Sequence, residues 1–374
     1  MVRLTWPQAI GWHMRRHRLD RRAQREDMLR VATEHGGLHA QVMSSAELIA
    51  SCRVAGLREG DVTRTLWQER RLVKTWAMRH TLHLIPATDY WEWIAVAGSL
   101  PSLVNPSWIR RLQLSDDELA AVLAAVGKAL SRRPLSRSEL VLEVARLTGS
   151  ARVEKLLQES WGINLLKPAC MRGMLCFAEG EGARSRFVHP SVYLRRRKPA
   201  RSANGLRNIA RRFFTTSGPA TAREFSRWLC LDSARTKETI AGLAGELELV
   251  EVEGQAAWMI AADVAEAKNA LPERTVRLLP SFDPYVFGAF SHSERYLRGG
   301  AHTDIYKGSA WYAPVLFAEG AFAGVWSMKK STERLSVSIE PFRAAPRWLR
   351  NGAEAEAALM AQSMGRKLEL KWVN

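Results

Sequence analysis

The chain has 374 residues, 47% of them apolar and 25% charged, a globular composition with material for more than one domain. No stretch approaches the roughly 20 uninterrupted apolar residues of a membrane span, and the opening MVRLTWPQAIGWHMRRHRLD lacks the apolar block of a secretory signal. A cytoplasmic, nucleoid-associated protein with no membrane partner is therefore expected. Lys and Arg number 55 against 38 Asp and Glu, a net charge of +17 that favours a polyanionic partner.

The excess is uneven. Residues 1–100 carry +5, 101–200 carry +8, 201–300 carry +1 and 301–374 carry +3. Between Glu181 and Glu224 there is no acid but eleven basic residues, including Arg195, Arg196, Arg197 and Lys198. A solvated linker would mix signs, so an acid-free basic run points to phosphate contacts. The four cysteines, Cys52, Cys170, Cys176 and Cys230, form no CxxC pair and indicate neither a zinc site nor a disulfide framework.

Along the chain, one local plan occurs three times: amphipathic helices followed by two short strands around a tight turn. In the first copy, helical periodicity covers Pro7–His17, Asp27–Thr33, Ser45–Ala55 and Asp61–Arg70. The period then changes to two over Leu72–Trp76 and Thr81–Ile85, around Ala77-Met78-Arg79-His80. The second copy opens at Ser115 with Glu118 three residues on, and has a second capping box at Ser136 with Glu139. Its strands are Met174–Ala178 and Ser185–His189. The third has helices near Gly205–Phe214, Thr221–Leu229 and Ser233–Leu243, then strands Leu247–Val252 and Ala256–Ile260 around Glu253-Gly254. From about Arg274 the texture is strand-rich, over Val276–Leu279, Ala313–Phe317, Ala321–Val325 and Leu335–Ile339, closed by a helix over Gly352–Met364.

Helix-then-hairpin units on a basic chain are the winged-helix pattern. The expected fold is α+β, with three tandem winged-helix domains at 1–100, 101–200 and 201–272 and a β-rich region at 273–374. Winged helices set a helix against a groove while the hairpin and helix N-termini meet phosphates. The candidate contacts are Arg64, Arg70, Arg71, Lys74 and Arg79 around the first wing, and Lys167, Arg172, Arg184 and Arg186 around the second. His83, alternating with Leu82 and Leu84, could approach DNA or face solvent. Trp67, Trp76, Trp91 and Trp93 have spacings that suit core packing better than base stacking.

Familiar catalytic motifs are missing. There is no phosphate-binding P-loop, no GxGxxG after a strand, no HExxH, no GxSxG and no deaminase HxE with PCxxC. The segment Glu34-His35-Gly36-Gly37-Leu38-His39-Ala40-Gln41-Val42 stands out. Two glycines release the chain from a helix, and extended backbone would send His39 and Gln41 to one face and Ala40 to the other. Taken alone, a loop whose His and Gln cap neighbouring backbone groups is the simpler reading. Asp283, in Ser281-Phe282-Asp283-Pro284-Tyr285, is a possible second carboxylate for a catalytic site. Against that, Asp-Pro commonly starts a turn and its flanking aromatics suit a core.

The segments LTWPQAIGWHMRRHRLD, GGLHAQVMSSAEL, TLWQERRLVKTWAMRHTLHLIP and LLPSFDPYVFGAF resemble the AlkZ-like family of winged-helix DNA glycosylases, with matches over nearly the whole chain. The resemblance implies winged helices forming a C-shaped DNA cleft and excision of N-alkylated purines, including bulky natural-product adducts and crosslinks. It also implies a catalytic Gln-apolar-Gln triplet, which falls on His39-Ala40-Gln41, so Gln41 matches the second glutamine and His39 replaces the first. Expected partners and cofactors follow: double-stranded DNA carrying alkylated bases, a monomeric enzyme, no metal and no organic cofactor. Such an enzyme would serve base excision repair or self-resistance to a genotoxin. The competing reading is a non-catalytic winged-helix regulator in which the triplet is only structural. Tandem units in one chain argue against it, since a regulator reading paired half-sites usually dimerises.

Overall fold

The computed structural model describes residues 1–104, 109, 112–159, 162–181, 184–195, 204–308 and 311–373. The fold is α+β, and it divides into two compact units that do not follow chain order. One comprises Met1–Val62, Ala210–Phe225 and Lys237–Asn374, and the other Thr63–Ile209 and Ser226–Thr236. The boundaries of these units fall inside the helices Asp61–Trp67, Gly205–Ser217, Ala222–Leu229 and Ser233–Ala241.

In the first unit the helix Trp6–Arg16 begins at a capping box, with Thr5 Oγ1 accepting from the Gln8 N–H and Gln8 Oε1 accepting from the Thr5 N–H. It buries Ala9, Trp12 and Met14. The strand Val2–Leu4 pairs in parallel with Leu247–Val252, setting Val2 opposite Val250, and Leu247–Val252 forms an antiparallel hairpin with Gln255–Ile260. Leu4, Trp12, Val250 and Met259 share that core.

The same unit carries a five-stranded sheet in the order Val276–Leu279, Val315–Ala318, Ala321–Lys330, Arg334–Pro341, Lys367–Trp372. Its neighbours are antiparallel except the last pair, which is parallel because the helix Arg347–Ser363 carries the chain back. That helix seats Leu349, Ala353 and Ala357 against Val276, Leu278 and Val337. Phe317 and Phe322 belong to a second core with Tyr285, Ile10 and Met14.

The other unit contains two of the expected hairpins. Leu72–Trp76 pairs with Leu82–Pro86, through a turn in which Arg79 and His80 both take φ of +55°. Cys176–Glu181 pairs with Arg184–Val188, against which Leu135–Ser136 adds a third strand. Both capping boxes form, Ser115 with Glu118 at the helix Asp116–Ala129 and Ser136 with Glu139 at the helix Arg137–Thr148. Among the described residues, no helix is long and apolar enough to cross a membrane.

Candidate active site

The helix Met28–Glu34 stops in a glycine-based cap. The Gly36 N–H donates to Thr33 O at 3.0 Å and the Gly37 N–H to Ala32 O at 2.7 Å, with φ of +72° and +109° at the two glycines. This is the Schellman arrangement, and a left-handed residue there favours glycine. The chain leaves it extended: Leu38–His39 is a strand, Leu38 and Ala40 are fully buried, and Gln41 is exposed. The next helix, Met43–Arg53, starts two residues later. A carboxamide therefore stands at the surface of a short segment fixed at both ends.

His39 lies deeper, at 9% exposure. Its imidazole stacks on Phe282, with ring centroids 4.6 Å apart and planes 17° apart. Nδ1 is shut off from solvent. Phe282 in turn meets the edges of Trp311 at 4.8 Å and Tyr312 at 6.3 Å.

The segment holding Phe282 is anchored by a charge pair with no solvent exposure. Both oxygens of Asp283 accept from Arg53, Oδ2 from Nη1 and Oδ1 from Nη2, each at 2.8 Å. Oδ1 also accepts the Tyr285 N–H at 2.9 Å, capping the helix Pro284–Gly288. Asp283 thus does not serve as a second catalytic carboxylate. It is fully buried, and its charge is matched to a guanidinium rather than turned toward a substrate. The Asp-Pro turn start is what the structure contains.

Arg53 completes a larger cluster. Its Nε donates to His35 Nε2 at 3.1 Å, which leaves the His35 proton on Nδ1, donated to Val31 O at 2.8 Å. Burial and then the Arg53 charge push the His35 pKa down to about 3. Burial also holds His17 well below the ordinary imidazole range, with the His35 and Arg53 charges adding to it. Both rings are neutral at physiological pH. Cys52 is no nucleophile, since burial and then the Asp283 charge push its thiol up to about 12. Arg53 did not stand out in the sequence, and His35 did so only as part of the segment around the diglycine. The available signal was a lone arginine closing a helix whose inner face is otherwise Leu48, Ile49 and Cys52.

The expected DNA contacts separate into two groups. Arg64, Arg70, Arg71, Arg184 and Arg195 are exposed, with Arg64 paired to Glu69 and Arg70 Nη1 donating to Tyr193 O at 3.5 Å. Several others are held more deeply by protein. Arg79 Nη1 donates to Trp228 O at 3.0 Å, Arg172 Nη1 to Val104 O at 3.0 Å, and Arg186 Nη2 to Pro134 O at 3.1 Å. Lys74 sits over the Phe177 ring at 5.5 Å, and burial lowers the pKa of both Lys74 and Lys167. Arg196, Arg197 and Lys198 lie outside the described residues. His83 faces neither DNA nor solvent: it is 2% exposed, with Nδ1 3.0 Å from Thr81 O. Trp76, Trp91 and Trp93 are buried, Trp76 against Phe177 and Trp93 against Trp228. Among the described residues, no group of three or more His, Cys, Asp or Glu is placed to hold a metal ion.

Comparison with known proteins brings a family into view. The family model described as DNA glycosylase AlkZ-like matches residues 33–363. The chain is 28% identical over 372 residues to the interstrand DNA cross-link repair glycosylase of Streptomyces sahachiroi, covering 97% of this chain and 98% of that one. The solved structure of Streptomyces sahachiroi DNA glycosylase AlkZ matches with a TM-score of 0.87 at 28% identity, over 100% of both chains.

Proposed function

This chain belongs to the AlkZ-like family of DNA glycosylases, and from that premise we propose that it hydrolyses the N-glycosidic bond of alkylated purines in duplex DNA, with Gln41 and His39 holding the attacking water. The substrates are N7-alkylguanine or N3-alkyladenine, including bulky adducts and crosslinks, in base excision repair or genotoxin self-resistance. The crosslink-repair role printed for the Streptomyces sahachiroi relative supports the bulkier end of that range. One observation carries the reading: the segment that the diglycine cap releases buries Leu38 and Ala40 and presents Gln41 at the surface beside His39.

The chemistry needs little more. Alkylation at N7 or N3 makes the purine cationic, so the bond from C1′ to the base breaks with its electron pair going to the base, which leaves neutral without an acid. A water oxygen then bonds to C1′ and loses a proton to His39 Nε2 or to solvent. The Gln41 amide both donates and accepts, so it can fix that water's orientation, and fixing a nucleophile against a developing cation is worth several kcal/mol. His39 acts as a neutral imidazole, because an imidazolium would repel both the cationic lesion and the oxocarbenium. The helix-then-hairpin segments serve as three winged helices, with the exposed arginines meeting phosphates.

The test is release of N7-alkylguanine from duplex DNA, read as alkali-labile abasic sites. Gln41→Ala is expected to lower release at least 100-fold while leaving duplex affinity nearly unchanged. A Gln41→Ala protein that releases the base at the unaltered rate would overturn the assignment.

A further inference from the structure

We propose that Phe282 is a positioning residue that sets the orientation of His39. The inference rests on the role given to His39 above and extends it to a buried neighbour. Phe282 takes φ of +64°, a left-handed conformation that side chains other than glycine rarely adopt. A phenyl ring needed only to fill a core has no use for that backbone. What the conformation achieves is specific: it lays the ring flat on the His39 imidazole at 4.6 Å and 17°.

The surroundings hold the two rings in register. The residue after Phe282 is Asp283, whose carboxylate is locked to Arg53 by two hydrogen bonds of 2.8 Å. The same guanidinium donates to His35, the residue that ends the helix before the diglycine and lies four positions before His39. One buried arginine therefore fixes the chain on both sides of the stack. Trp311 closes on the Phe282 ring edge at 4.8 Å. A flat, immobile neighbour restricts rotation of the imidazole, a torsion that is otherwise broad. The stack fixes the plane in which the imidazole, and with it Nε2, lies.

A double-mutant cycle tests this, using single-turnover release of N7-alkylguanine by the full chain together with duplex affinity. Phe282→Leu keeps an apolar side chain and removes the flat face. It is expected to slow release about tenfold, in line with the cost of sub-ångström misplacement, with affinity unchanged. Phe282→Tyr, which keeps the face, is expected to stay within about threefold of the unaltered protein. In a His39→Ala background, Phe282→Leu should have no further effect. The same tenfold loss in that background would make Phe282 a general packing residue and overturn the proposal, as would a Phe282→Leu protein that releases normally while His39→Ala is slow. Normal release by His39→Ala alone would instead remove the role of His39 itself, and the positioning role with it. Should Phe282→Leu fail to fold, Phe282→Met carries the same cycle with the same outcomes.

Discussion

The two compact units differ in their deepest arginine pairs. In the unit that carries His39 and Gln41, exposed pairs such as Arg30–Asp27 and Arg334–Glu369 stand beside inward ones: Arg53 and Asp283 have no exposure, and Glu356, at 9%, pairs with both Arg22 and Arg277. In the other unit, the pairs Arg64–Glu69, Arg133–Glu139, Arg146–Glu143 and Arg152–Glu118 all have arginine side chains about half exposed or more. Exposed pairs of that kind contribute little to stability and are screened by salt, whereas a buried charge that loses its partner is costly. The difference teaches that a single residue type answers two needs, rigidity within the fold and charge at a surface, and that burial decides which.

The largest effect should come from breaking the deepest pair. Arg53→Met leaves the Asp283 carboxylate buried without its partner, and the expected cost is about 3–5 kcal/mol in urea unfolding. Arg146→Ala in the other unit, which removes a surface pair with Glu143 at 2.7 Å, should change stability by no more than about 0.5 kcal/mol. If the two losses are equal, the contrast between the units has no energetic content.

A smaller effect follows from the neutral histidines around Arg53. His35 titrates at about 3 in the folded chain, because of burial and then the neighbouring guanidinium, against about 6.5 when unfolded. A base whose folded value is depressed lets the unfolded chain take up the proton first. Its stability contribution is therefore complete above pH 6.5 and is lost as pH falls from there toward 3. Each such proton lowers stability by about 1.4 kcal/mol per pH unit across that window. His35→Gln, whose amide can still donate to Val31 O and accept from Arg53, should fold and show a shallower decline between pH 7 and 5. Parallel stability curves for the two proteins would show that His35 titrates freely in the folded state.

How much of this could be read from the chain depends on the distance over which each rule acts. The capping boxes at Ser115 and Ser136, the diglycine stop before Leu38 and the first two hairpins rest on residues within about fifteen positions of one another, and all are present. Alternation likewise separates buried Ala40 from exposed Gln41, but it also set His39 on the Gln41 face, and His39 is buried. What escaped is non-local. Arg53 and Asp283 are 230 residues apart, and Val2–Leu4 joins a hairpin near residue 250. The strand Lys367–Trp372 alternates visibly, yet the parallel pairing that uses it exists only because the preceding helix returns the chain across the sheet. His83 shows the limit of alternation: period two separates faces but does not say that both are buried, as they are in this strand.

The smallest effect should separate the surface arginines from those that brace the fold. Arg71 is exposed and only loosely paired, with Glu69 at 3.8 Å, while Arg172 bridges the backbone carbonyls of Val104 and Pro168 and is partly desolvated. A cation that neutralises a phosphate releases about one counterion, so removing it lowers the slope of binding against salt by about one and weakens every sequence alike. Arg71→Ala and Arg184→Ala are expected to do this on undamaged duplex DNA, with stability unchanged within about 0.5 kcal/mol. Arg172→Ala should do the reverse, leaving the salt slope intact and lowering stability by about 1–3 kcal/mol, because two helix-end carbonyls lose a charged donor. Binding isotherms from low to moderate salt distinguish the two patterns, and an Arg172→Ala slope that falls as far as that of Arg71→Ala would mean that burial does not predict which arginines of this unit meet the phosphates.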